Sequence, residues 1–131
     1  MATENGVLDL SFEAAESLTN DQYRFVVLTT DSPAKVRRPD AQNEIPFGVL
    51  QNAPASGGAA VVRRLGVTKL QAGAALTNNT FVRIEYNDAA DAGKAVPLVA
   101  NEGYAVGLVV GSASAEDDLA TVDLIPATPG I

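Results

Sequence analysis

The stretch that decides the fold is "IPFGVLQNAPASGGAAVVRRLGVTKLQAG", residues 45–73. Its first part predicts a short strand closed by Asn52 and Pro54, and the glycine pair at 57–58 turns the chain. The apolar run that follows predicts one long bent strand or two, with Gly66 as a bend or bulge. The segment contains no histidine, cysteine or carboxylate. Its pattern therefore indicates architecture rather than catalysis.

Strand patterns continue on both sides of this segment. "QYRFVVLTT", residues 22–30, is rich in aromatic and β-branched residues and ends at a turn signal. "TFVRIEY", residues 80–86, alternates so that Val82, Ile84 and Tyr86 share one face, which we expect to be the apolar one. Further short strands are predicted near residues 34–38, 94–100, 104–114 and 119–126. About eight short strands with almost no helical period predict a single all-β domain, a small barrel or sandwich.

The first 18 residues differ from this pattern. Apolar side chains at Val7, Leu8, Leu10 and Phe12 predict a strand that precedes the first firm strand at Gln22. We therefore predict an extended N-terminal arm over residues 1–18 and a β-barrel or sandwich domain over residues 19–131. Because a solitary strand gains little until it joins a sheet edge, we expect the arm to become ordered against a neighbour. The alternative is that "VLDLSF" belongs to the chain's own barrel.

Charge is distributed unevenly along the 131 residues, whose formal net charge is -7. Residues 1–23 carry five acids and no base, residues 24–94 hold all nine Lys and Arg against six acids, and residues 95–131 carry five acids. An acidic chain lacks the counterion release that drives nucleic-acid binding. Adjacent acidic and basic regions suit protein partners instead.

The sequence gives no sign of export or membrane insertion. It has no cysteine, so disulfides and thiolate zinc sites are excluded. Its first ten residues lack the basic flank and apolar run of a signal peptide, and no apolar run approaches the roughly 20 residues that span a bilayer. We expect a soluble protein that is made in a cytoplasm.

Candidate chemistry is sparse. Without histidine, imidazole-based triads are impossible. "SPAK", residues 32–35, has the spacing of a lysine-activated serine but lacks the companion motifs. "NDAADAG", residues 87–93, offers oxygen ligands, but its spacing fails the EF-hand pattern and a turn is the simpler interpretation. We predict no enzyme activity, no metal and no cofactor.

Two arginine pairs are the better candidates for interactions. Adjacent residues of a strand point to opposite faces, so neither Arg37 and Arg38 nor Arg63 and Arg64 can form one solvent-facing row. We expect at least one arginine of each pair to meet a carboxylate from another element or another chain. Charges that protect an exposed sheet edge are the alternative.

The central segment resembles the signature of the tailed-phage capsid cement, or head decoration, proteins. A G-V-L-Q-N-x-P run, a small-residue turn, a Val-rich strand and a G-x-x-K-x-x-A-G turn occur in that order. "QYRFVVLTTD" before them and residues 103–126 after them extend the resemblance over roughly residues 7–126. The matching positions are Gly48, Val49, Leu50, Gln51, Asn52, Pro54, Gly66, Lys69, Ala72 and Gly73.

This resemblance implies a β-tulip-like domain that forms homotrimers at local three-fold positions on the outer surface of an expanded phage head. Its partner would be the major capsid protein, with no nucleic acid and no membrane involved. The expected capsid-binding residues lie in the arm and at the first arginine pair: Val7, Leu8, Leu10, Phe12, Arg37 and Arg38. The alternative function is a ligand- or sugar-binding β-sandwich module of a virion structural protein.

Overall fold

Nine β-strands build the protein in a computed structural model that describes residues 4–99 and 103–129. In chain order they are β1 (Asn5–Ala14), β2 (Phe25–Leu28), β3 (Lys35–Arg37), β4 (Gly48–Leu50), β5 (Ala59–Gln71), β6 (Phe81–Ile84), β7 (Ala95–Pro97), β8 (Tyr104–Gly111) and β9 (Leu119–Pro129). No helix occurs within the described residues. The predicted all-β fold class is confirmed.

The strands form one sheet that curls into two rings. Their order is β1-β3-β2-β4-β5-β9-β8-β6-β7, and an additional pairing of β1 with β5 closes the first five strands into what we call the first ring. From Gly66 onward β5 pairs with β9. An isolated parallel bridge joins Ala95 of β7 to Ala72, the residue after β5. With this bridge β5, β9, β8, β6 and β7 form a second, partly closed ring.

The molecule has two apolar cores, and β2, β4 and β5 contribute side chains to both. Most of the core side chains are aliphatic, because β-branched residues pack well on a pleated surface and their burial removes apolar area from water. The core of the first ring consists of Ala14, Leu18, Val26, Val36, Leu50, Ala60 and Val62. The larger core includes Phe25, Val49, Leu70, Leu76, Val82, Ile84, Val109 and Val122.

Gly66 is the point at which β5 passes from one ring to the other. Its φ of +109° lies in a backbone region that residues with a Cβ rarely adopt. A Cβ there would lie 2.6 Å from the backbone oxygen of Asn5 and 2.6 Å from the backbone nitrogen of Val7. The register between β1 and β5 also shifts on both sides of Leu8. The predicted bend or bulge at Gly66 is confirmed.

The alternating segment around β6 behaves as its pattern predicts. Val82 and Ile84 are fully buried, whereas Phe81 on the opposite face is exposed. The strand itself ends at Ile84 rather than at Tyr86. Alternation thus identified the apolar face correctly and overestimated the length of the strand.

The N-terminal segment forms a strand on the chain's own sheet. β1 pairs antiparallel with β5 from Asn5 to Glu13, and its last residues pair in parallel with β3. Ala14 and the following Leu18 are buried in the first core. The division of the chain at residue 18 into an arm and a domain stays a prediction, and in this structure the sheet edge that the segment finds belongs to the same molecule.

Candidate interaction surface

The signature residues of β4 lie inside the molecule. Val49 belongs to the larger core and Leu50 to the first core, so consecutive side chains of one strand fill the two cores. Gly48 lies so close to β5 that a Cβ would be 2.5 Å from the backbone oxygen of Arg63. These three positions hold the two rings together.

Polar signature residues stabilise the turn that follows β4 through hydrogen bonds. The side chain of Asn52 donates to the carbonyl of Ala59 and accepts from the backbone N–H of Val61, at 2.9 and 3.0 Å. Gln51 donates from Nε2 to Thr68 Oγ1 at 2.9 Å. Buried Pro54 accepts a backbone hydrogen bond from Leu18. Their hydrogen-bonding capacity is used within the fold.

The later signature residues also have structural contacts. Lys69 forms an ion pair with Glu4 at 3.3 Å, and its ammonium lies 5.6 Å from the centre of the Tyr23 ring. Gly73 lies against the carboxylate of Glu85, where a Cβ would clash. The signature therefore builds the junction of the two rings.

Both arginines of the first pair bind carboxylates of their own chain. Arg38 pairs with Asp21 at 3.0 Å and with Glu16 at 3.1 Å, and Asp21 is almost fully buried. Arg37 pairs with Glu44 through two guanidinium nitrogens and with Asp40 at 3.2 Å. The hydrogen bond from Arg37 lowers the pKa of Glu44 against the opposing effect of burial.

The second pair divides its roles. Arg63 is buried and donates to Asp9 of β1 at 2.8 and 3.1 Å, with Glu4 at 3.3 Å. Arg64 points the other way, with its guanidinium 4.3 Å from the centre of the Phe47 ring and a hydrogen bond of 2.9 Å to the Phe47 carbonyl. The expectation that one arginine of each pair meets a carboxylate from another element is confirmed by Arg38 and Arg63.

Three of the four apolar residues expected to contact a partner are exposed. Val7 is 75% exposed, and Leu8 and Leu10 are exposed to a lesser degree. Phe12 is instead half-buried, with its ring edge-on to Phe47 at a centroid distance of 5.1 Å and an interplanar angle of 88°. β1 thus displays its first apolar residues and uses Phe12 to pack against the body of the protein.

An open groove of about 690 Å³, not predicted from the sequence, lies beside β2 and the start of β8, and we call it the Ile45 groove. Ile45 is 60% exposed, and Leu28 is exposed beside it. Arg37, Glu44 and Arg64 supply the charged part of its lining. The only signal in the sequence was an isolated apolar residue before Pro46 in "NEIPF". The apolar walls are Val27, Leu28, Ile45, Pro46, Phe47 and Tyr104.

The turn "NDAADAG" lies beside an acidic cluster. Asp88 accepts hydrogen bonds from the backbone N–H groups of Ala90 and Asp91 at 2.9 and 3.1 Å, so it stabilises the turn as the simpler interpretation requires. Carboxylate oxygens of Glu85, Asp91 and Glu116 all lie within 4.8 Å of one another.

A buried lysine neutralises much of this cluster. The ammonium of Lys94 lies 2.7 Å from Asp91, 2.6 Å from Asp117 and 3.4 Å from Glu116. Burial opposes its charge, but the hydrogen bonds to Asp117 and Asp91 prevail and raise the pKa of Lys94. Burial, followed by the charges of Asp91 and Glu116, raises the pKa of Glu85. The arrangement is a lysine-centred ion-pair network.

The fold of this chain is similar to that of a protein of known structure. The chain is similar to the head fiber gp8.5 N base in bacteriophage phi29, known from a crystal structure, with a TM-score of 0.67 and 20% identity over 95% of this chain and 98% of that chain. No family model and no curated protein sequence matches. At this identity the likeness establishes a shared all-β architecture over nearly the whole of both chains.

Separately, no helix among the described residues is long and apolar enough to cross a membrane.

Proposed function

We propose that this protein is a structural component of a tailed-phage virion, a capsid cement or decoration protein without enzymatic activity. It binds the outer surface of the expanded head as trimers at local three-fold positions and stabilises contacts between major capsid subunits. The observation that carries the proposal is the fold shared over nearly the full length of both chains with the head fiber base of phi29. The order of the signature motifs in the sequence supports it independently.

The chemistry of the chain suits this role. Two cores joined through shared strands make a stiff body. Most of the charged groups bind one another within the fold. Exposed apolar side chains remain available for partners, Val7 and Ile45 above all. Because three subunits bind together, each weak contact raises the effective concentration of the next. The trimer would bind the expanded head more tightly than the unexpanded head, because only on the expanded lattice are the binding sites spaced to match the three subunits.

The proposed contact residues are those of β1 and the first arginine pair. Val7, Leu8 and Leu10 are exposed and can be buried against a neighbour. Phe12, Arg37 and Arg38 already have partners in the chain, so we propose that they hold the contact surface in shape. In the proposed trimer each subunit contacts the next through two different surface patches, and this contact repeats three times to form a closed ring.

A sugar-binding module is the weaker alternative. Sugar sites commonly present an aromatic face for stacking, and the ring of Phe47 in the Ile45 groove is already covered by the Arg64 guanidinium at 4.3 Å. Tyr104 is the remaining aromatic residue in that groove. The packing therefore favours a protein partner over a carbohydrate.

Electron microscopy of shells assembled from the major capsid protein of the same phage tests the proposal. With the purified chain added, we expect trimeric knobs at local three-fold positions and shells that resist heat better than bare shells. Unexpanded shells serve as the control and should bind much less protein. Asymmetric dimers on the shell, or no binding to expanded shells, would contradict the proposal.

A further inference from the structure

The Ile45 groove combines exposed apolar side chains with a positive charge. Leu28 and Ile45 expose apolar side chains to water within one concave site, next to Tyr104. Burial of such side chains by a partner is favourable in proportion to the apolar area removed from water. The concave shape and the volume of about 690 Å³ suit a few side chains of an extended polypeptide.

Arg64 adds a positive charge to this apolar site. Seven of the nine Lys and Arg side chains form ion pairs with carboxylates of described residues. Within the part of the chain that the structure describes, Arg64 forms none. Its contacts are the Phe47 ring and the Phe47 carbonyl.

The other charges of the groove lining cancel. Arg37 donates to both carboxylate oxygens of Glu44, so this pair contributes no net charge. The lining is therefore left with the charge of Arg64, in a protein that carries 16 acidic residues. Arg64 has no carboxylate partner among the described acids, and this feature points to a ligand.

We propose that the Ile45 groove binds an extended segment of the major capsid protein that presents an apolar side chain and a carboxylate, an inference that rests on the proposed function. The apolar side chain packs between Leu28 and Ile45, and the carboxylate accepts hydrogen bonds from Arg64. A planar guanidinium matches a carboxylate with two parallel hydrogen bonds. A nucleic-acid phosphate is disfavoured, because phosphate backbones are bound by groups of basic residues and Arg64 is the one cation of the described lining that forms no ion pair with a described carboxylate.

Two variants test the two halves of the site. Ile45→Thr removes apolar area at a highly exposed position, and Arg64→Gln removes the charge. We expect each to lower the affinity for expanded shells at least tenfold in a co-sedimentation assay, while the melting temperature confirms the fold. The matched control is Val110→Thr, which changes another β-branched side chain, 48% exposed and outside the groove, and should leave affinity within twofold.

Salt dependence and crosslinking identify the occupant. Affinity of the unchanged protein should fall as sodium chloride is raised, and Arg64→Gln should reduce this dependence. Should Arg64→Gln prove unstable, Arg64→Lys keeps the charge, loses the planar fork and should bind with intermediate affinity. A photoreactive amino acid at position 45 should crosslink to an acidic, apolar segment of the capsid protein.

The outcomes separate the two proposals. If the unchanged protein binds shells and the Ile45 and Arg64 variants bind equally well, the groove inference is wrong and the proposed function stands. A crosslink to a second copy of this chain would also overturn the inference alone. If the unchanged protein does not bind shells, both proposals fail.

Discussion

At Gly48 two strands approach more closely than any residue with a side chain would permit. The carbonyl oxygen of Arg63 and a methyl group of Val62 would lie 2.5 and 2.7 Å from an added Cβ. Both neighbours belong to β5, the strand shared by the two rings, so neither can move without disturbing a core. Absence of a side chain at this position is therefore a packing requirement.

Replacing Gly48 by alanine should destabilise the protein by about 3 kcal/mol, because the added methyl forces β4 away from β5. Gly57→Ala is the control. It keeps a positive φ of +82° but meets no atom within 4 Å, so it should cost about 1 kcal/mol. Chemical denaturation measures both variants. Equal losses would mean that the close approach at Gly48 is not limiting.

Two glutamates respond to their surroundings in opposite ways. Burial and the nearby Asp91 and Glu116 raise the pKa of Glu85, so the fold favours its protonated form. The hydrogen bond from Arg37 lowers the pKa of Glu44, so the fold favours its ionised form. Ionised Glu85 therefore weakens the native state near neutral pH, whereas ionised Glu44 strengthens it.

Glu85→Gln should raise the free energy of unfolding at pH 7 by up to about 1 kcal/mol, since the variant has no charge to desolvate. The gain should shrink as the pH falls through the raised pKa of Glu85 and vanish below about 4.5, the ordinary value. Urea denaturation between pH 3 and pH 8 follows the change.

Glu44→Gln provides the comparison of opposite sign. It should lower stability at pH 7 by about 1 kcal/mol, and its deficit should disappear as the pH falls through the lowered pKa of Glu44. The interpretation of both sites would be refuted if the two variants shifted stability in the same direction at pH 7.

β1 both exposes apolar side chains and forms part of the sheet and the first core. Its first residues expose their side chains, although the strand pairs with β5 from Asn5 to Glu13. Its end also pairs with β3 and is followed by buried Leu18. Asp9 of β1 also neutralises buried Arg63 at 2.8 Å. The exposed side chains of the first half can serve a partner, while the backbone pairing along the strand and the buried residues at its end stabilise the fold.

Deleting residues 1–18 should therefore lower the free energy of unfolding by at least about 3 kcal/mol. The deletion removes Ala14 and Leu18 from the first core and leaves Arg63 without its carboxylates. A shorter deletion of residues 1–8 keeps Asp9 and should cost much less. Thermal unfolding compares the two. An unchanged melting temperature after the longer deletion would instead support an arm that is independent of the domain.

Features that depend on neighbouring residues could be predicted from the sequence, whereas features that depend on residues far apart in the sequence could not. The strands β4, β5 and β6 and the bend at Gly66 were evident because glycine, turn residues and alternation act locally. The pairing of β1 with β5 joins residues 46 to 62 positions apart in the sequence, and the bond between Arg63 and Asp9 spans 54 positions, separations that no local pattern encodes. The Ile45 groove was missed for the same reason, since its lining comes from β2, β3, β5, β8 and the loop before β4.

The whole molecule is two rings built around one strand. β5 pairs with β1 and β4 in its first half and with β9 in its second half. Val62 and Leu70 point into different cores although both belong to β5 and both are fully buried. Loss of packing in either core must disturb the strand on which the other core depends.

The protein should accordingly unfold as one cooperative unit. Leu70→Ala should cost about 2–5 kcal/mol and Val62→Ala about 2 kcal/mol, because each leaves a cavity in a close-packed core. In both variants, amide hydrogen exchange should speed up in both rings together. Faster exchange confined to the ring that carries the substitution would show that the rings unfold separately.

The lysine at the centre of the acidic cluster also determines how the molecule accepts chemical labels. The chain has three lysines, and amine-directed reagents such as succinimidyl esters attack only an accessible, uncharged amine. Lys94 is buried, and its raised pKa keeps the ammonium charged, whereas Lys35 and Lys69 are each about one-third exposed. Among the lysine side chains, dyes and affinity tags will therefore attach at positions 35 and 69, and the network around Lys94 will remain intact in the labelled protein.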